Sequence, residues 1–338
     1  MAEVLGSRLA RLGMRAGVAV GVTGLAAVAF SLTPVGAPPA GASTTDYAYV
    51  ANSGSNSVSV IDTSTNTVVA TVGVGNSPDG VAITPNGSYA YVENYGDNNV
   101  SVIDTSTNTV VSTVPVGTGP DGVAITPNGS YAYVANNGDN TVSVIDTSTN
   151  TVVSTVPVGT GPDGVAITPN GSYAYVANSG DNTLSVIDTS SNTVVSTVPG
   201  GTSPTEVAMT PNGKHAYVVN NGSKMVSVLK TSTNTVKATV KVRKEPVGIA
   251  MTPNGSYAYV ANYGSNDVSV IKTATNTVVA TVRVGRQPLR LAVTGGYAYV
   301  ANDNGGFDTG TVSVIKTATN TVVATVGVEG GPDAIAIT

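Results

Sequence analysis

Four aspartates, Asp79, Asp121, Asp163 and Asp333, each stand directly after a proline, and three further prolines in the same setting are followed by Thr205, Val247 and Leu289. Carboxylates recurring at one slot suit a hard divalent cation held by oxygen, or a basic partner. Arg243, Lys244, Arg286 and Arg290 belong to the copies that lack the aspartate, so an acidic arc faces a basic one. Other routes to catalysis are poorly supplied. There is no cysteine, the many Ser and Thr have no neighbouring His base, and no Gly-rich phosphate loop precedes a helix. The sole histidine, His215, takes the place of a tyrosine and reads as filling a face. Loops such as residues 136–140 offer Asn and Asp oxygens, but their spacing matches no EF-hand. Pro-Asp-Gly is also a turn signature, and aspartates such as Asp62, Asp104, Asp146 and Asp188, closing a run before Thr-Ser, satisfy local donors as Asx-turns. The expectation is therefore no catalytic residue, no metal and no cofactor. Asp79, Asp121, Asp163, Asp333, Arg286 and Arg290 are the candidates for contact with a ligand or partner.

What positions these residues is a repeat. Tyrosine pairs begin at Tyr47, Tyr89, Tyr131, Tyr173, Tyr257 and Tyr297, with His215 in the remaining copy, so the spacing is 42 residues five times and then 40. A period of this length marks one supersecondary unit stacked on itself, and it overrides the two-domain prior that the length of 338 would suggest.

Within the third copy, residues 131–134 alternate as a strand, 136–140 form a loop, 142–145 a second strand and 151–158 a β-branched third. Residues 159–164 cross to a short strand at 165–168, and Pro169-Asn170-Gly171 closes a hairpin into the next tyrosine strand, since Asn and Gly both tolerate positive φ. Four antiparallel strands per copy make a propeller blade. Apolar spacing at i, i+3 and i+4 is missing, which excludes helical solenoids. The fold class expected is all-β: a seven-bladed propeller of four-stranded antiparallel blades. The array starts at a tyrosine strand and stops at the short strand 334–337, so the C-terminal strand is expected to complete the N-terminal blade and close the ring. The two tyrosines of each pair share a face and fill the gap to the next blade, while Tyr95 and Tyr263 fall in exit loops on the same face as the aspartates.

The runs YAYVANSGSNSVSVIDTSTNTVVATVGVG and PDGVAITPNGS resemble the YVTN-type β-propeller repeat of surface-layer and other exported bacterial and archaeal proteins. The resemblance covers about residues 46 to 338. It implies seven blades whose short strands line a central channel; it implies no single activity, because related propellers include scaffolds, ligand binders and a few lactone-handling or redox enzymes. The sequence departs from the pattern at Thr294-Gly295-Gly296, where the Asn-Gly hairpin is lost, and at residues 302–311, a loop four residues longer than its counterparts.

Residues 1–42 read as an export signal: Arg8, Arg11 and Arg15 precede an uncharged run at 16–32, then a Pro-rich stretch and Ala40-Gly41-Ala42. Cleavage leaves a single domain at 43–338 with no stable membrane insertion. Without cysteine, neither a disulfide nor a lipid-modified anchor is available. Charge is divided: from 43 to 213 there are 13 acids and no base, and from 214 to 338 there are 12 bases and 6 acids. Net acidity disfavours nucleic acid, and the split favours steering of a partner or self-association. The expectation is a secreted, cell-surface, non-enzymatic interaction scaffold whose partner is a protein or polysaccharide of the envelope or exterior. The alternatives are a metal-dependent lactonase-like hydrolase at the channel mouth and a self-assembling surface-layer component.

Overall fold

The computed structural model describes residues 46–305 and 309–338; the expected export signal at 1–42 lies outside them, as do residues 306–308 of the long loop. Among the described residues, twenty-eight strands form seven four-stranded antiparallel sheets. One blade shows the plan. Pro78–Ile83 pairs with Tyr89–Asn94, which pairs with Asn99–Asp104, which pairs with Thr109–Pro115. The inner strands of successive blades touch in cyclic order and the last, Pro332–Ile337, touches the first, so the seven blades close a ring.

Period-two alternation explains how the blades cohere. The second and third strands of each blade are buried on both faces, so odd and even residues serve different neighbours. Tyr49, Ala51, Val58 and Val60 pack against Ala90, Val92 and Ile103 of the following blade. Ala48, Val50 and Ile61 pack against Tyr299, Val312 and Val314 of the preceding one. The core is therefore a set of layers between blades, and no blade has one of its own. The outer strands are mostly exposed: each buries a valine such as Val72 near its end, and the last buries both Val326 and Val328.

The tyrosine pairs divide their work. The second ring of each pair is fully buried from Tyr49 to Tyr299, whereas Tyr89, Tyr173 and Tyr297 at the first position are exposed. Buried hydroxyls reach across to the outer turn of the next blade, as when Tyr91 donates to Asn150 Oδ1 at 2.6 Å and Tyr133 to Asn192 Oδ1 at 2.6 Å. Asn150 and Asn192 take φ of 54° and 53°, which asparagine tolerates better than most residues.

The Asn-Gly segment closes the expected hairpin, with one difference in its backbone. Only its glycine has positive φ, 73° at Gly87, and Thr84 pairs with Tyr89 across a four-residue loop. Asn86 instead accepts from Ser88 N and from Thr84 Oγ1, a side-chain turn that competes successfully with the two-residue alternative. Ring closure is as expected: Ala48, Tyr49, Val50 and Ala51 register with Ile337, Ala336, Ile335 and Ala334. Thr338 N also donates to Tyr47 O at 3.0 Å.

Candidate functional site

The exit loop of each tyrosine strand and the crossing between blades lie side by side, joined by bonds such as Tyr95 N to Ser77 O and Gly96 N to Asn76 O, both 3.0 Å. Carboxylates tie these loops together. Asp97 accepts from Asn76 N at 2.8 Å, and Asp139 and Asp181 accept from Thr118 N and Thr160 N at 2.6 Å. The carboxylates of these exit loops are thus engaged by the backbone of the adjoining crossings. In the outer turns, Asp62, Asp104, Asp146 and Asp188 accept from Ser64, Ser106, Ser148 and Ser190 N, as Asx-turns require. These serine hydrogen bonds hold the four carboxyls below the usual range.

The Pro-Asp-Gly slot differs from the expected crossing turn. Proline opens the inner strand, as in Pro120–Ile125 and Pro162–Ile167, and the register shifts just after it. Proline brings no ladder donor, so its first position in an edge strand costs little. The aspartates consequently sit inside the strands that ring the axis. The third position carries Gly80, Gly122, Gly164, Glu206, Gly248, Arg290 and Ala334. At two of these positions the backbone of the next blade leaves no room for a side chain: a Cβ on Gly122 would lie 2.2 Å from Asp163 O, and one on Gly248 2.4 Å from Leu289 O. Two long side chains, Glu206 and Arg290, fill the space that the small ones leave.

Arg290 crosses the channel and gathers the carboxylates. Its Nε donates to Glu206 Oε2 at 3.2 Å, Nη1 to Asp79 Oδ1 at 3.2 Å and Asp333 Oδ1 at 3.4 Å, and Nη2 to Asp121 Oδ1 at 2.9 Å. Nη2 also stands 3.5 Å from Asp163 Oδ1, and the guanidinium donates to the carbonyls of Asp79 and Asp121 at 3.1 and 2.8 Å. The Asp121 side chain is fully buried and that of Arg290 only 13% exposed. Although burial opposes the charge, Asp79, Asp121, Glu206 and Asp333 push the Arg290 pKa well up. The opposed arcs expected from the sequence are therefore one internal ion cluster as far as Asp79, Asp121, Asp163, Asp333 and Arg290 are concerned. Arg286 stands apart and exposed, and Arg243 pairs with Asp267 at 2.8 Å.

Sequence reasoning overlooked two members of this site, Glu206 and Glu93. Both show when the copies are aligned by column. Glu93 occupies the slot of Ala51, Ala135, Ala177, Val219, Ala261 and Ala301. It is wholly buried and neither carboxyl oxygen has a hydrogen-bond partner. It fits because Gly80 has no side chain: a Cβ there would overlap Glu93 Oε1. Burial pushes the Glu93 carboxyl well above the usual range despite Arg290 nearby, and burial likewise raises Glu206. Both line a channel cavity of about 150 Å³, together with Arg290 and an otherwise apolar wall that includes Val81, Val123, Val165 and Ile249. A larger groove of about 380 Å³ on the hairpin side, around Pro127 and Asn170, offers no charged group.

Among the described residues no group of three or more His, Asp or Glu is arranged to hold a metal, because the mouth carboxylates converge on a guanidinium. Nor is any described helix long and apolar enough to cross a membrane.

Comparison with known proteins agrees with this architecture. The family described as "Lactonase, 7-bladed beta-propeller" matches residues 81–243 and 188–290, together spanning 81–290, and the LVIVD repeat matches residues 285–308. No curated protein matches the sequence. Among solved structures, Kuenenia stuttgartiensis hydrazine synthase is similar at 26% identity and a TM-score of 0.69, over 78% of this chain and 90% of that one. A functionally unknown protein from Desulfotomaculum acetoxidans is similar in fold at 20% identity and a TM-score of 0.74, over 86% and 98%.

Proposed function

From a chain that belongs to the family of lactonase-type seven-bladed β-propellers, we propose an exported, non-enzymatic interaction scaffold of the cell surface or exterior. One observation carries the reading: Arg290 binds the mouth carboxylates to itself, so the groups best suited to chemistry are engaged with one another. What remains accessible is loop and rim. Each outer strand exposes a valine, among them Val69, Val111, Val153, Val195, Val279 and Val323 at about half exposure, and apolar positions repeated around a rim suit contact with another macromolecule. Similarity to the YVTN-type repeat and the leader-like residues 1–42 support the surface location.

The test is retention of the purified chain by its own cell-envelope fraction. Binding should saturate, be competed by unlabelled chain and weaken when Val111, Val153 and Val195 are changed to Thr, with the melting temperature unchanged. Retention indifferent to these valines would refute the scaffold reading.

A second reading, lactone hydrolysis, is favoured by the family description itself. It predicts turnover of a panel of lactones, with or without Ca²⁺, Mn²⁺ or Zn²⁺, that Asp121→Asn abolishes. Such turnover would replace the scaffold reading with an enzyme.

A further inference from the structure

The buried carboxyl of Glu93 has no role in the ring. Six other blades build the same strand with alanine or valine at that slot, so the fold does not need a glutamate there. Orphaned asparagine oxygens occur in the next position of most blades, at Asn52, Asn94, Asn136, Asn178, Asn220 and Asn302, and so belong to the repeat. Glu93 occurs once. A buried carboxyl without a donor is destabilising, and such a group persists where something else compensates.

No side chain beside it donates a hydrogen bond to it. Arg290 is the base of the channel, and its Nε, Nη1 and Nη2 are all engaged by Glu206, Asp79, Asp333 and Asp121. The cavity itself is lined by two acids, Glu93 and Glu206, and by one base, Arg290, whose donors are already taken, so Glu93 faces it without a donor. What the site lacks is a compact cation rich in N–H.

We propose that the channel cavity beside Arg290 binds a small primary alkylammonium ion, its –NH₃⁺ donating to Glu93 and Glu206 and its short alkyl chain lying against Val81, Val123, Val165 and Ile249. Three features select this class. A primary ammonium has three donors and no acceptor, the complement of two carboxyl groups. A space of about 150 Å³ is benzene-sized, enough for a chain of a few carbons. A calcium or magnesium ion would want about six or more oxygens, whereas among the side chains lining the cavity only those of Glu93 and Glu206 offer any.

The experiment uses the purified chain with methyl-, ethyl- and propylammonium chloride, against tetramethylammonium, sodium and calcium chlorides at matched ionic strength. Thermal unfolding and calorimetric titration are the two readouts. A ligand of the native state raises the melting temperature in proportion to the logarithm of its excess. The primary ammonium salts should do so, and tetramethylammonium, which has no N–H, should not. Two variants restore residues that other blades already use, Glu93→Ala and Glu206→Gly, so both should fold. Glu93→Ala should melt higher than the parent without ligand, and should abolish the ammonium response and the heat of binding. Glu206→Gly should weaken both. No response in the parent, or a response that survives Glu93→Ala, overturns the proposal. Stabilisation by calcium alone, lost in Glu93→Ala, overturns it in favour of a metal site.

Discussion

Arg290 decides the electrostatics of the channel. Taking away one partner of a buried ion cluster leaves uncompensated charge in a poorly solvated place, so Arg290→Met should destabilise the chain by about 3–5 kcal/mol at neutral pH. Urea unfolding of parent and variant measures it, and a change below 1 kcal/mol would mean that the carboxylates already find other partners. Glu93 predicts the opposite sign. Its folded pKa is raised by burial above an ordinary value of 4.5, so its contribution to stability is fully present below that value and is lost as pH rises toward the folded pKa. Glu93→Ala should therefore flatten the decline in melting temperature between pH 4.5 and neutrality, and an unchanged slope would show that another group causes it. The aspartate column was readable in the sequence as a repeated Pro-Asp. Its junction with Arg290 was not, because a residue 211 positions from Asp79 becomes its neighbour only through the span of the channel, a distance the period does not encode.

At the scale of strands and turns, alternation and β-branched runs made all four elements of a blade predictable, the middle two because burial on both faces recurs with period two and the outer one because its β-branched residues suit an edge strand. The turns were read less well. In the Asn-Gly loop a side-chain bond from Asn86 to Ser88 N outcompetes the backbone pattern expected from the dipeptide. In the outer turn, Asn150 has two roles that one sequence position cannot separate: it holds φ at 54° and accepts from Tyr91 of the preceding blade. Substitution separates them. Asn150→Gly keeps the backbone but loses the acceptor, and should cost about 1 kcal/mol. Asn150→Ala adds the strain of a left-handed backbone, roughly 1–2 kcal/mol more. If the acceptor role is right, Tyr91→Phe in the Asn150→Gly background adds almost nothing, and additive losses in that double-mutant cycle would show that the two side chains act independently.

At the scale of the whole molecule, stability depends on closure, because each core layer is shared by two blades. Six junctions between inner strand and tyrosine strand are covalent hairpins, whereas the seventh is held by pairing of residues 334–337 with 48–51 and by the exchange between Tyr47 and Thr338. Removing residues 334–338 strips a strand from the first blade and uncovers Ala48 and Val50, so it should lower the melting temperature more than any single substitution considered above. Loss of five residues can also harm a protein for unrelated reasons, and a circular permutant separates the two. Joining Thr338 to Asp46 through a short Gly-Ser linker turns the seventh junction into a hairpin like the others. New ends can be cut at Gly295 and Gly296, where an added Cβ would meet no atom within 4 Å. The permutant should melt at or above the parent, and truncation of 334–338 within it should again be severe, because the missing surface, and not a frayed terminus, is what the ring requires. If the truncated parent instead melts like the intact chain, the layers between blades hold the ring without its seventh junction.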